Sequence, residues 1–170
     1  MQVLIPISTR SHFFPEEDYF FPKPLIEVEG VPMIVLVVKQ LIKTLNKANF
    51  IFVGEELESG SFPLDHMLKV ATAGNLKIVK RIGNTSGALC ACLLAIDKLD
   101  PELPLLISNS DQVIDTNLQL LIDGFDEMDG DIGVLTFESL HPRWSYVVKD
   151  QANVVAQVVE KKVVSTDAVA

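Results

Sequence analysis

The chain has 170 residues, 48% of them hydrophobic and 22% charged, as expected of one globular domain with a sizeable core. Its 14 Lys and Arg against 23 Asp and Glu give a formal charge of -9, which opposes non-specific nucleic-acid binding unless a local basic patch overrides it. Lys80-Arg81 and Lys161-Lys162 are too short to form one, and no apolar run reaches the roughly 18 residues of a membrane span. The first residues lack a basic region followed by an apolar segment and a small-residue cleavage site, so a secretory signal is not expected; the expected compartment is the cytoplasm, with neither membrane nor nucleic acid as partner.

In chain order, Gln2 to Ile5 reads as a short apolar strand that runs into Pro6-Ile7-Ser8-Thr9-Arg10-Ser11. A strand ending in small hydroxyl residues at a sheet's carboxyl edge can direct backbone N–H groups at a phosphate. Without glycine the backbone meets a steric penalty at positive φ, so this loop is either a different shape or a weaker cradle. Further on, Pro22 and Pro24 are expected to hold Lys23 in an extended, stiff segment. That would position a cationic head for a phosphate with little entropy to lose; the alternative is a solvated loop lysine. Gly30 precedes Val31-Pro32-Met33, where proline in the first turn predicts a helix to about Leu45.

Phe50 to Val53 is a second predicted strand, and Leu64 to Ala73 a short helix stopped by Gly74-Asn75. Leu76 to Val79 follows as a strand, with Lys80 and Arg81 just beyond it. Thr85 or Ser86 is the expected N-cap of a helix reaching about Lys98, and Gly87 leaves room for a flat group against the backbone. Cys90 and Cys92 within that helix read as reduced core residues rather than a redox or metal pair. His12, His66 and His141 are scattered and make no ligand spacing.

Pro104 to Asp115 is the stretch around which the rest is expected to be arranged. Its apolar run reads as a buried parallel strand, and its polar end, Ser108 to Gln112, falls where ligands of open α/β sheets bind. Asp111 would project there as a hard oxygen ligand, suited to a Mg²⁺ ion that keeps several waters and also binds substrate phosphates. The alternative is that Asp111 and Asp115 cap a helix beginning near Thr116. Asn117 to Met128 is that helix, and short β pieces follow at Ile132 to Phe137, Ser145 to Lys149 and Val154 to Glu160. The expected class is α/β, with alternating units first and a more antiparallel region last, in a single domain over residues 1–170.

Several of these positions together resemble the sugar-phosphate nucleotidyltransferases, the group that includes glucose-1-phosphate thymidylyltransferase, nearly end to end. Val3-Leu4-Ile5-Pro6, Pro22-Lys23-Pro24-Leu25-Ile26-Glu27-Val28 and Gly30-x-Pro32-Met33 resemble the family's first strand, lysine segment and first helix. Thr85-Ser86-Gly87-Ala88 resembles its nucleotide-base loop, and Asn109-Ser110-Asp111-Gln112 its metal-binding strand end. Phe137 through Tyr146, followed by Val159-Glu160-Lys161-Lys162, resembles its sugar-binding half.

The resemblance implies a three-layer, Rossmann-like fold of the glycosyltransferase-A type, with a mixed sheet flanked by helices. It implies a reaction in which a sugar 1-phosphate attacks the α-phosphorus of a nucleoside triphosphate and displaces pyrophosphate. By carry-over Asp111 holds Mg²⁺ and, with Lys23 on the phosphates, forms the catalytic pair. The resemblance would put Gly87 near the base, and Ser8, Thr9 and Arg10 of the first loop are the other expected nucleotide contacts. Glu160 accepts sugar hydroxyls, Lys161 pairs with the sugar phosphate, and the backbone at Tyr146 faces the sugar. Trp144 could stack on a sugar, although a lone tryptophan is more often partly buried core.

Two departures from the pattern matter. Thr9 and Ser11 stand where the family's first loop has glycines, and Phe13 stands near its arginine. Family domains also usually continue past the Glu-Lys motif to a second metal-binding aspartate, so with one carboxylate the chemical step should suffer more than binding. Three readings therefore stand: a nucleotidyltransferase domain, a non-catalytic descendant that binds a sugar nucleotide or a protein, and a glycosyltransferase using a finished sugar nucleotide. Apolar surface exposed where a further portion would pack is expected to drive homo-oligomerisation.

Overall fold

The computed structural model describes residues 1–8, 14–15, 17–55, 63–83, 85–128, 130–139, 141, 144–160 and 169. The chain divides into two compact units, Met1–Asp123 and Gly124–Ala170.

The first unit starts with β1 (Gln2–Ile7), a nearly continuous apolar run buried along its length, as a strand covered on both faces must be. A single 3-10 turn at Lys23–Leu25 leads to a small antiparallel hairpin of β2 (Glu27–Val28) and β3 (Val31–Pro32). Glu29 and Gly30 between them have φ of 53° and 76°, the left-handed pair that a tight two-residue hairpin turn requires. Then come α1 (Met33–Thr44), β4 (Asn49–Gly54), α2 (Leu64–Ala71), β5 (Leu76–Lys80), α3 (Ala88–Leu93), β6 (Leu105–Ile107) and α4 (Leu118–Asp126). In α1 the buried residues are Ile34, Val37, Val38 and Leu41, a spacing of three and four that puts one apolar stripe on the sheet.

The strands form one parallel sheet in the order β5-β4-β1-β6. Side chains alternate across it, so Val3, Ile5, Phe50 and Phe52 join α1 and α2 in one core cluster. Leu4, Ile51 and Val53 face the other way and pack with Ala91, Cys92 and Ala95 of the α3 region. Helices on both faces of a parallel sheet give the three layers expected from the sequence. Among the described residues antiparallel pairing is found in two separate two-stranded ladders and an isolated bridge.

Three local expectations are corrected. The strand after Pro104 is parallel but not buried: β6 pairs only with β1 and ends the described sheet, leaving Ile107 51% exposed. β1 is the strand around which the unit is organised. The helix expected to reach Lys98 ends at Leu93 and yields to a 3-10 turn at Ile96–Lys98. Cys92 is buried, which pushes its thiol pKa up, while Cys90 is exposed rather than core, because residues two apart on a helix point in different directions.

The second unit contains β7 (Tyr146–Lys149) and β8 (Val155–Val159), an antiparallel pair with a bulge at Val148/Lys149. Val169 adds a bridge to Val147. Tyr146 is fully buried, and its hydroxyl donates to the His141 carbonyl at 2.8 Å. Trp144 meets Phe137 edge to face at 5.1 Å. The strand expected over Ile132 to Phe137 is not formed: these residues have no ladder partner among the described residues, and Ile132 is 86% exposed. Phe125 lies so close to Gly133 that a Cβ there would come within 2.9 Å of the ring, which explains a glycine at that position.

Candidate active site

In a parallel sheet all strands end on the same side, so the segments after β1, β4, β5 and β6 share one carboxyl edge. Ser8 leaves β1 there, and Lys23 lies in the β1-to-α1 connection. Gly87 lies in the connection from β5 to α3, and Asp111 follows β6.

The segment carrying Asp111 is pinned at both ends. Ser108 donates its backbone N–H to the Leu4 carbonyl at 3.0 Å, and Gln40 of α1 donates from Nε2 to the Ile114 carbonyl at 2.7 Å. Between these anchors Ser110 is buried, and Asn109 Nδ2 donates to Gln112 Oε1 at 2.6 Å. β6 is itself held from upstream by the buried Gln2. Its Nε2 donates to the Asp100 carbonyl at 2.9 Å, and its Oε1 accepts from the Asp100 N–H at 2.8 Å.

Lys23 is fixed from the other side of the site. Pro22 is extended, but Lys23 itself opens the 3-10 turn rather than lying in an extended segment, with the Leu25 N–H on the Pro22 carbonyl at 2.8 Å. Leu25 anchors this turn in the core. The ammonium that results meets Asp111: Nζ lies 2.6 Å from Oδ2, with the lysine side chain 14% exposed and the aspartate 33%. Two of the residues named as candidates from the sequence are thus in direct contact, and the Lys23 side chain is largely covered rather than solvated.

The capping alternative for Asp111 falls as well. α4 begins at Leu118, and its first turn is capped by Asn117, whose Oδ1 accepts from the N–H groups of Gln119 at 3.1 Å and Leu120 at 3.4 Å. At α3 neither Thr85 nor Ser86 is the cap. Gly87 occupies that position with φ of 120°, a conformation that disfavours any side chain, and a Cβ there would meet nothing within 4 Å. The backbone at Gly87 is therefore open on the face where the side chain is missing.

A second ion pair at this edge was not singled out from the sequence. Arg81, just beyond β5, donates from Nη2 to Glu55 Oε2 at 3.1 Å, just beyond β4, and its N–H bonds the Gly54 carbonyl at 2.9 Å. The signal available was one charged residue immediately after each of two adjacent strands.

Tyr146 and Glu160 belong to the second unit, Tyr146 opening β7 and Glu160 directly following β8. The Tyr146 side chain is buried, and its hydroxyl is spent on the His141 carbonyl. Thr9, Arg10 and Lys161, with Phe13, lie outside the described residues. Among the described residues no group of three or more His, Cys, Asp or Glu could hold a metal ion, and no helix is long and apolar enough to cross a membrane.

No family model matches the chain, and no curated protein sequence does. Solved structures do. The nucleoside-diphosphate-sugar pyrophosphorylase of Vibrio cholerae RC9 superposes with a TM-score of 0.72 at 18% identity, over 99% of this chain and 70% of that one. The chain shares the fold of that protein. A protein named as a glucose-1-phosphate thymidylyltransferase from Bacillus anthracis gives 0.71 at 16% identity, over 99% and 67%. A UDP-glucose pyrophosphorylase solved with UDP-glucose gives 0.71 at 14% identity, over 99% and 72%. On this nucleotidyltransferase fold, with its parallel sheet between helices, Lys23 and Asp111 stand at the edge where such sheets take their ligands.

Proposed function

We propose that the chain binds a nucleoside triphosphate and a sugar 1-phosphate and transfers the nucleoside monophosphate to the sugar, releasing pyrophosphate. The observation that carries this reading is the Lys23–Asp111 pair at the carboxyl edge of a nucleotidyltransferase fold. An oxygen of the sugar 1-phosphate attacks the α-phosphorus. A new P–O bond forms there while the bond from the α-phosphorus to the bridging oxygen breaks, and pyrophosphate departs with that electron pair. Such chemistry asks the protein mainly for positioning and charge neutralisation.

Lys23 supplies a fixed ammonium for the phosphate oxygens, and the open backbone at Gly87 gives the flat base a surface to lie on. Ser8, Thr9 and Arg10 are the proposed further nucleotide contacts. Glu160 would accept sugar hydroxyls, Lys161 would pair with the sugar phosphate, and the Tyr146 backbone would face the sugar. The donor chemistry fits Mg²⁺ in one limited way: Asp111 offers a single, partly exposed hard carboxylate, enough for an ion that takes its other ligands from water and phosphate. When bound, the ion neutralises phosphate charge.

A second reading, a non-catalytic binder of nucleotide or sugar nucleotide, is favoured by one observation. The carboxylate beside Lys23 has no partner carboxylate or histidine in a metal-sized group among the described residues. Pyrophosphate release with a panel of sugar 1-phosphates separates the two. The enzyme reading expects Mg²⁺-dependent release that falls about a hundredfold in Asp111→Ala. Nucleotide binding without release would select the binder.

A further inference from the structure

Lys23 and Asp111 satisfy one another when neither ligand is present. At 2.6 Å the contact is at the short end for a charge-assisted hydrogen bond, and the ammonium is mostly covered. The backbone on each side of the pair is anchored. The 3-10 turn between Pro22 and Ile26 fixes the lysine backbone, and the anchors at Ser108 and Ile114 fix the aspartate segment.

This arrangement is unfavourable to either ligand alone. A divalent cation at Asp111 lies within a few ångströms of the Lys23 ammonium and is repelled by it. A polyphosphate at Lys23 is repelled in the same way by the Asp111 carboxylate. When both arrive together, the ammonium passes to a phosphate oxygen, the carboxylate passes to the cation, and opposite charges alternate through the site. We propose that the Lys23–Asp111 pair is a self-occupying latch that suppresses binding of a divalent cation or a polyphosphate alone and admits the two together. The latch rests on the reading of both residues as substrate-binding groups. Each ligand raises the affinity for the other by the same factor, as linkage requires.

The test uses single ligands, because cation and nucleotide also associate in free solution. Mn²⁺ alone is titrated by electron paramagnetic resonance, and sites lost in Asp111→Asn are counted as the relevant ones. Lys23→Met should bind Mn²⁺ at that site about tenfold more tightly than the unmodified chain, whereas Lys23→Arg, which keeps the charge, should not. Reciprocally, Asp111→Asn should bind inorganic tripolyphosphate in the presence of a chelator about tenfold more tightly. Circular dichroism verifies folding, with Lys23→Gln as the second variant if Met disturbs packing. Unchanged or weaker single-ligand binding in the Lys23→Met and Asp111→Asn variants, in a chain that still binds Mg²⁺ with a nucleoside triphosphate, overturns the latch alone. If the unmodified chain binds no nucleotide with Mg²⁺, the functional reading falls and the latch falls with it.

Discussion

The two units of the chain solve the problem of burial differently. In Met1–Asp123 helices pack on both faces of the parallel sheet, and its central strands β1 and β4 are buried almost throughout. In Gly124–Ala170 the β7–β8 ladder has buried residues only at Tyr146 and Val147, while β8 is exposed along most of its length. The first unit draws its order from apolar area, which is non-directional and redundant. Order in the second depends on a few specific contacts, above all the Tyr146 hydroxyl on the His141 carbonyl. A fold held by its sheet interior leaves the strand ends free for charged groups: Glu55, Arg81 and Asp111 follow β4, β5 and β6, and Lys23 pairs with Asp111.

The largest effect that sharpens this contrast is in the core. Phe52 is fully buried and stacks on Phe50 at 5.9 Å, so Phe52→Ala should cost about 3–5 kcal/mol in urea unfolding. Val158→Ala on the exposed β8 should stay within about 0.5 kcal/mol. Equal losses at the two positions would erase the distinction.

A smaller effect probes the second unit by itself. Tyr146→Phe keeps the ring and removes only the bond to His141, for about 1 kcal/mol. Faster hydrogen exchange should be confined to the β7–β8 ladder; a loss shared equally by β1 and β4 would mean that the units do not differ as described.

The smallest expected effect concerns the last helix begun in the first unit. Asn117→Ala should cost about 1 kcal/mol by removing the cap of α4, and Asp115→Ala within about 0.5 kcal/mol. The reverse order in thermal unfolding would restore the capping role to aspartate.

What could be read from the sequence divides along the same line. β1, β4 and β5 were legible as short, mainly apolar runs of strand length, and α1 from the proline just before its first turn. Gly74, with φ of 82°, ends the stretch after α2 where a glycine stop was expected. Ile132 to Phe137 misled because an apolar run signals burial, and pairing depends on a neighbouring strand that the run itself does not reveal. The edge position of β6 was hidden for the same reason, since strand order is a property of the sheet.

The site residues were legible one at a time. Lys23 and Asp111 stood out by their local settings, but their contact joins two segments far apart in sequence, through anchors such as Gln40 and Gln2 that look like ordinary polar residues. The Glu55–Arg81 pair went unread because neither residue lies in a motif, and only strand adjacency brings the two together.

The most direct test of the central claim, that Lys23 and Asp111 form a nucleotide and metal site, is calorimetric titration of the chain with each nucleoside triphosphate in Mg²⁺, repeated with Asp111→Ala. The expected result is binding of at least one nucleotide that weakens about tenfold or more in the variant, or roughly 1.4 kcal/mol. Absence of binding by every nucleotide, or identical affinity in the variant, would contradict it.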